Sequence, residues 1–162
     1  MLNFSWPNLP FQIALVEPQI PLNTGNIARL CAATGTLLHL IDPLGFRLHD
    51  PAVKRAGLDY WDSVKLFRHA DIECFFRSLI NSTFYLFSTR GKRSYTDVVY
   101  QPGDVLIFGS ETQGLPQKLL EDCSSQVLTV PMQTGHVRSL NLANTVSIVL
   151  YEALRQQQTS HG

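Results

Sequence analysis

The stretch FQIALVEPQIPLNTGNIARLCAATGTLLHLI, residues 11–41, decides the fold class of this chain. Residues 11–17 are a short, mainly apolar run that stops at prolines and the turn-forming residues 23–26, as a buried strand does. A helical stretch is predicted at residues 27–34, and a second apolar run follows at residues 37–41. The order strand, helix, strand is a βαβ unit and predicts an α/β fold.

The same alternation continues along the rest of the chain. Further strands are predicted at residues 64–67, 83–88, 104–108 and 127–130. Helices are predicted at residues 52–58, from Asp71 as N-cap, from near Pro116 and at residues 141–157. The last helix has one apolar face that fits a core, formed by Leu142, Val146, Val149, Leu150 and Ala153.

No internal repeat, low-complexity block or linker divides the sequence. A chain of 162 residues has the usual size of one domain and can bury a core without a disulfide or metal. We therefore expect a single domain over residues 1–162, with a mostly parallel sheet flanked by helices. The ends, residues 1–10 and 157–162, are expected to be flexible.

The charge balance limits how the chain can bind nucleic acid. Its 13 basic and 13 acidic side chains give a formal net charge of zero, so no global field draws it to phosphate polymers. Any such contact must be local. Two short basic clusters are available, Lys54 with Arg55 and Arg90 with Lys92 and Arg93, although such clusters are commonly solvated surface.

Cysteines, histidines and the N-terminus argue against several other classes. The three cysteines lie far apart, and the five histidines include no helical pair and no cysteine partner at metal spacing. No disulfide framework and no metal are expected. No stretch approaches membrane-spanning length, and the N-terminus lacks a basic start followed by an apolar run. We expect a cytoplasmic protein with no membrane partner.

Three polar, glycine-bearing segments follow predicted strands. They are PLNTGNIAR at residues 21–29 (segment 1), FGSETQGLP at residues 108–116 (segment 2) and PMQTGHVRSLNLAN at residues 131–144 (segment 3). In a parallel α/β sheet, ligands bind beyond the carboxyl ends of the strands. These segments are therefore the candidates for a functional site.

The sequence does not match the commoner motifs that contain such glycine loops. Gly109 and Gly114 have Walker spacing, but Leu115 and Pro116 stand where a lysine and a hydroxyl would hold phosphate and magnesium. Segment 1 has a single glycine, Gly25, instead of the three of the dinucleotide fingerprint. No GxSxG elbow of a serine hydrolase is present.

The order of the motifs is informative. Asn-Thr-Gly-Asn with Arg29 about one helical turn on, then Gly-Ser-Glu at residues 109–111 and Arg-Ser-Leu-Asn at residues 138–141, resembles the SPOUT superfamily of RNA 2′-O-ribose methyltransferases. The similarity spans residues 11–151. Within that superfamily the chain resembles the small TrmL/YibK-like subgroup, to which residues 54–60 and the closing SIVLYEALR also point.

This resemblance implies a fold and an activity. The fold would be an α/β-knot with a deep trefoil knot in its C-terminal half, and the protein an obligate homodimer whose active sites draw on both subunits. The activity would be 2′-O-methylation of the wobble nucleotide, a cytidine or modified uridine, of a tRNA, namely a leucine tRNA. S-adenosylmethionine would be the methyl donor and S-adenosylhomocysteine the product. Two alternatives stay open, a SPOUT methyltransferase acting on another RNA site and a noncatalytic module that binds RNA or cofactor.

The resemblance also implies a cofactor site, residue by residue. Main-chain groups of Phe87, Gly109 and Val130 would hold the adenine, and Ser139 and Leu140 would flank the other side. The complete set of cofactor-binding candidates is Phe87, Thr89, Gly109, Val130, Ser139 and Leu140. For Phe87 and Val130, ordinary core packing at strand ends is the alternative.

The catalytic candidates implied by the resemblance are Arg29, Ser139 and Asn141. A guanidinium holds its proton too firmly to act as a free base. Arg29 is therefore expected to bind the phosphate beside the target ribose, or to stabilise the developing alkoxide while a water takes the proton. The alternative is a helix-surface arginine paired with a carboxylate.

The substrate-binding candidates are Asn26, Arg29, Lys54 and Arg55, on a patch that is expected to span two subunits.

Several polar residues of the segments have local roles as alternatives. Asn23 or Asn26 fits a helix cap, and Gly25 fits a left-handed turn residue. Glu111 fits an acceptor for backbone N–H groups that braces the segments. Asn141 fits a cap of the last helix as well as a substrate contact.

Overall fold

The computed structural model describes residues 2–159, except that the side chains of residues 54, 56–59 and 159 lie outside the description. The strands are Gln12–Val16 (β1), Leu37–Ile41 (β2), Leu66–His69 (β3), Phe84–Phe87 (β4), Arg93–Ser94 (β5), Val105–Phe108 (β6) and Val127–Thr129 (β7). The helices are Pro21–Thr34 (α1), Pro51–Gly57 (α2), Ile72–Ser78 (α3), Gln117–Asp122 (α4) and Leu142–Thr159 (α5). Short 3-10 helices follow α2 and α4, at Leu58–Ser63 and Ser124–Gln126.

The strands form one seven-stranded sheet with the order β3-β2-β1-β6-β4-β7-β5. Each neighbouring pair in it is parallel. Strands β2 and β3 lie on one side of β1, and the four strands from β4 to β7 lie on the other side. Parallel strands point their carboxyl ends to one edge, so segments 1, 2 and 3, which follow β1, β6 and β7, meet there. The predicted parallel α/β sheet is confirmed.

Both faces of the sheet are buried, as parallel sheets require. Ile13 and Leu15 of β1 belong to a core cluster shared with α1 and α5, whereas Ala14 and Val16 belong to a second cluster shared with α3 and α4. The apolar runs are continuous because successive residues of a strand point to opposite faces and both are covered. The predicted inner face of α5 is also found buried, at Val146, Val149, Leu150 and Ala153.

Helix α1 begins six residues before the predicted start, at Pro21 rather than residue 27. Proline suits a first helical position because its missing N–H needs no partner there. Residues 23–26 therefore belong to the helix and form no turn. Gly25 is helical, and the left-handed residue is Gly35 at the C-cap, with φ 69°. The roles of a left-handed Gly25 and of an asparagine cap on α1 were thus wrong, since the N-cap is Ile20.

Other boundaries differ less. The Asp71 carboxylate accepts the N–H of Cys74 at 2.7 Å, which confirms the predicted cap of α3. Strand β5 was missed because two residues carry no periodicity. Helix α5 runs to Thr159, and the Gln158 amide exchanges hydrogen bonds with the backbone of Ser5 at 2.7 and 2.8 Å. Residues expected to be flexible at the two ends thus contact each other, while Met1 and residues 160–162 lie outside the description.

Candidate active site

A cavity of about 500 Å³ lies at the carboxyl edge of the sheet. Most of its wall is formed by residues 87–90 at the end of β4, by residues 108–115 of segment 2 and by residues from the range 129–145. Ile20 and Asn23 line the side next to α1. All three segments therefore contribute to one cavity. Its volume lies within the range of about 300–1,000 Å³ that is typical of small-molecule sites.

Every predicted cofactor-binding residue lines this cavity: Phe87, Thr89, Gly109, Val130, Ser139 and Leu140. The Phe87 ring is buried and stacks on Phe108, with ring centroids 4.8 Å apart and planes inclined by 14°. Since its ring is packed in the core, the polar groups that Phe87 can offer a ligand are those of its backbone. The core packing and the main-chain role considered for Phe87 are therefore compatible.

Segment 2 is folded tightly upon itself. Gly114 donates its N–H to the Ser110 carbonyl at 3.0 Å and has φ 67°, a left-handed conformation that favours glycine. A Cβ on Gly109 would lie 2.1 Å from the carbonyl carbon of Gly114 and 2.3 Å from the nitrogen of Leu115. Gly109 thus admits no side chain, and this part of the wall is backbone.

The Glu111 carboxylate joins segment 2 to the start of α1. Its oxygens accept the backbone N–H groups of Gln19 at 2.8 Å and Ile20 at 3.3 Å. The Thr112 hydroxyl donates to Oε1 of Gln19 at 2.7 Å. A carboxylate at this end of a helix is also stabilised by the helix dipole. The predicted bracing role of Glu111 is confirmed.

Asn141 joins segment 3 to α1. Its Oδ1 accepts the N–H of Asn144 at 3.1 Å, which caps α5, and its Nδ2 donates to Oδ1 of Asn23 at 3.0 Å. Asn23 is only 5% exposed. The start of α1 is therefore connected to both other segments, to segment 2 through Glu111 and to segment 3 through Asn141.

Arg29 lies further along α1 and does not line the cavity. Its side chain is exposed, and its guanidinium carbon stands 5.2 Å from the centroid of the Tyr60 ring. Asn26, one turn earlier, is also exposed and also outside the lining. Among the ion pairs of the described residues none includes Arg29, which disfavours the reading as a carboxylate-paired surface arginine.

The two basic substrate candidates lie on α2. Arg55 is exposed there, and α2 packs against α1. The Lys54 side chain lies outside the described residues. Helix α2 thus places Arg55 beside the helix that carries Arg29, away from the cavity of the same chain.

Comparison with known proteins agrees with this geometry. Residues 10–151 match the SpoU rRNA Methylase family. The chain belongs to this family. A tRNA (cytidine(34)-2′-O)-methyltransferase of Burkholderia ambifaria is 47% identical over 149 residues, which cover 90% of this chain and 95% of that protein.

Solved structures show that this SpoU methylase shares its fold with other methyltransferases. A structure described as giving insights into the 2-OH methylation of C/U34 on tRNA superposes with a TM-score of 0.88 at 44% identity, covering 93% of this chain and 98% of that one. An AdoMet-bound rRNA methyltransferase from Sinorhizobium meliloti superposes with a TM-score of 0.81 at 26% identity, covering 94% and 61%. The predicted SPOUT-type fold is confirmed, and the deep knot stays a prediction.

Sequence reasoning missed three features of this SpoU methylase. These are the buried Asn23 joined to Asn141, the Tyr60 ring against Arg29, and Arg90 at the rim of the cavity. Of these features, only Arg90 could be recognised in the sequence, because it belongs to a basic cluster that follows a predicted strand. The other two depend on contacts between residues far apart in sequence.

Two broader findings concern residues 2–159 of the SpoU methylase. In this range no helix combines the length and the hydropathy needed to cross a bilayer. The same range holds no group of three or more histidine, cysteine, aspartate or glutamate side chains placed to bind a metal ion.

Proposed function

We propose that this SpoU methylase transfers a methyl group from S-adenosylmethionine to the ribose 2′-hydroxyl at position 34 of a tRNA. The observation that carries the proposal is the meeting of segments 1, 2 and 3 at one cavity, lined by all six cofactor candidates. Support for the substrate comes from the relatives that act at tRNA position 34 and resemble this chain over nine-tenths of its length. A leucine tRNA as substrate and the cytoplasm as compartment stay predictions.

The cavity suits S-adenosylmethionine. Its backbone wall at Gly109 can approach a flat adenine closely, because any side chain there would collide with Gly114 and Leu115. Main-chain groups of Phe87, Gly109 and Val130 would read the adenine edge, and the hydroxyls of Thr89 and Ser139 offer further hydrogen bonds. When bound, the cofactor supplies an electrophilic methyl group on a sulfonium.

Methyl transfer forms an O–CH₃ bond at the ribose as an S–CH₃ bond breaks, and the hydroxyl proton must leave. The protein therefore has to orient the 2′-hydroxyl and stabilise charge on its oxygen. Arg29 provides a fixed positive charge for this purpose, and a water accepts the proton. Ser139 lies exposed on the wall, where its hydroxyl can contact substrate. Asn141, whose amide is occupied by Asn23 and Asn144, acts as a positioning residue.

Because Arg29 lies outside the cavity of its own chain, we propose that a second copy completes the active site. In a homodimer, Arg29, Asn26 and Arg55 of one subunit would face the cavity of the other, with Lys54 on the same helix as Arg55. This arrangement gives a neutral chain a local cationic surface for RNA. It also explains why the predicted catalytic arginine and the predicted cofactor site are separate within one chain.

The proposal is tested by incubating the protein with methyl-labelled S-adenosylmethionine and either total tRNA or ribosomal RNA. Label is expected in tRNA alone, and nuclease mapping should place it on a 2′-O-methyl nucleotide at position 34. Label in ribosomal RNA would favour the rival SPOUT activity at another site. Cofactor binding without label in any RNA would favour the noncatalytic module.

The Arg29→Lys variant tests the role of the guanidinium. Lysine keeps the charge but loses the planar pair of donors, so we expect the single-turnover methylation rate to fall by about 10- to 1,000-fold. Cofactor affinity, measured by calorimetry, should not change. Arg47→Lys, at another exposed arginine, is the matched control and should keep the full rate. A fully active Arg29→Lys enzyme would contradict the role given to Arg29.

A further inference from the structure

A second cavity, of about 420 Å³, opens beside the first. The two cavities share Arg90 and Leu120 in their walls. We call the second cavity the 90–93 groove, because residues 90–93 form one wall while α4 and the residues after it form the other. A chain that lies in this groove would lead directly to the proposed cofactor site.

The 90–93 groove is positively charged. Arg90, Lys92 and Arg93 are exposed in its wall, and the one carboxylate of the lining, Glu121, accepts from Nε2 of Gln117 at 2.9 Å. Within the part of the chain that the structure describes, none of these three cations forms an ion pair. Three positive charges against one negative leave a surplus of two in a chain whose formal net charge is zero.

The cations stand on a fixed backbone. A Cβ on Gly91 would lie 2.7 Å from the carbonyl carbon of Leu128, so the loop is packed directly on β7. Arg93 belongs to β5 and donates from Nη1 to the Ser125 carbonyl at 3.2 Å, while Arg90 donates to Oε1 of Gln117. Ordering the Arg90 and Arg93 side chains on a ligand therefore costs less entropy than ordering free surface residues.

We infer that the 90–93 groove binds backbone phosphates of the RNA substrate, next to the nucleotide that is methylated. The inference rests on the proposed function. Phosphates prefer arginine and lysine donors that are not already neutralised by carboxylates. Continuity with the cofactor cavity favours RNA over an acidic protein, because a target nucleotide held against the cofactor would place neighbouring nucleotides at the groove. The apolar members of the lining, Leu120 and Val127, are buried and offer no anchor for a membrane.

The test compares Lys92→Gln/Arg93→Gln with Arg47→Gln/Lys65→Gln, which removes two exposed charges elsewhere. Arg90 is left intact because it also lines the cofactor cavity. Binding of tRNA is measured by fluorescence anisotropy between low and physiological salt. The groove variant should bind about tenfold more weakly, and the slope of log K against log salt should become shallower by about 1.4–1.8, as expected for two lost phosphate contacts. The affinity for S-adenosylmethionine should stay within about twofold of wild type.

Arg93 donates a hydrogen bond to Ser125, so its replacement could lower the stability of the double variant. In that case the single Lys92→Gln variant is used, and its salt slope should become shallower by about half as much as expected for the double variant. Equal affinity and slope for the groove and control variants would overturn the inference, even if the wild type methylates tRNA. Groove-dependent tRNA binding without methyl transfer would instead reject the proposed function and leave the groove as an RNA surface. No binding of tRNA by the wild type would overturn both.

Discussion

The guanidinium of Arg29 contacts an aromatic ring rather than a carboxylate. The Tyr60 ring lies 5.2 Å from the guanidinium carbon, within the range of a cation–π contact. A carboxylate partner would neutralise the charge that the proposed reaction needs, whereas a ring restricts orientation and leaves the charge available. Tyr60 comes from the short 3-10 helix after α2, which packs against α1. We therefore regard it as a positioning residue for Arg29.

Replacement of Tyr60 by leucine should lower the single-turnover rate by about two- to fivefold, because a cation–π contact at an exposed site contributes about 0.5–1 kcal/mol. Tyr60→Phe keeps the ring and should keep the rate. In an Arg29→Lys background the leucine variant should cost less than in wild type, which separates an effect through Arg29 from a general one. A Tyr60→Phe enzyme as slow as Tyr60→Leu would show that the hydroxyl matters and not the ring.

Among the elements, α1 departs most from what the sequence predicts, and the departure has a clear cause. The usual sequence signal for a helix start is a local capping side chain, and α1 has none. The acceptor for the N–H groups of Gln19 and Ile20 is instead Glu111, more than ninety residues away. Proline at the first position replaced the missing local cap. Only the folded sheet brings these residues together.

The tether between segment 3 and α1 can be tested with Asn141→Asp. Aspartate still caps α5 but cannot donate, so the buried oxygen of Asn23 would face a carboxylate instead of an amide. The free energy of unfolding should fall by about 1–3 kcal/mol, and the affinity for S-adenosylmethionine should fall with it. Denaturant unfolding and calorimetry measure the two effects. Asn144→Asp adds the same charge on the first turn of α5 without the tether and should match wild type; an equal loss there would contradict the tether.

At the scale of the whole molecule, the sequence predicts the sheet and the edge at which the site lies. It does not predict every residue that lies in the site. Compact apolar runs identify strands buried on both faces, and parallel strands bring their carboxyl ends to one edge. Those two facts suffice to place segments 1, 2 and 3 together. They do not tell which face of α1 each residue occupies. Asn23 proved to be buried in the site, while Asn26 and Arg29, on the same helix, point away from it.

The stability of the whole molecule should depend on a histidine pair in the sheet. His39 of β2 is 5% exposed, with Nδ1 2.9 Å from Nε2 of His69 and Nε2 2.8 Å from Oε1 of Gln12. Burial, and then the neighbouring His69, lower the pKa of His39 to about 4. Burial also lowers the pKa of His69. The folded state therefore holds His39 neutral, whereas the unfolded chain takes up its proton near an ordinary pKa of about 6.5.

Protonation thus favours unfolding. The contribution of His39 is complete above about pH 6.5 and is lost as the pH falls toward about 4, with a total of about 3 kcal/mol. Denaturant unfolding between these pH values should show a smaller decline for His39→Asn than for wild type. His136→Asn, at an exposed histidine, should decline as wild type does. Parallel declines in all three proteins would rule out His39 as the source.

The hydrogen bonds of Glu111 and Asn141 at the start of α1 have a consequence for how binding of one ligand affects binding of another. Through the hydrogen bonds of Glu111 and Asn141, the wall of the cofactor cavity is connected to the helix that bears Arg29. We therefore expect that a ligand that orders the wall of this cavity also orders the helix, on which binding of the second ligand depends. Coupling between two binding equilibria is reciprocal, so the factor by which the methyl donor strengthens tRNA binding is the factor by which tRNA strengthens retention of the donor. In the absence of the methyl donor, the enzyme would then bind tRNA more weakly and release it.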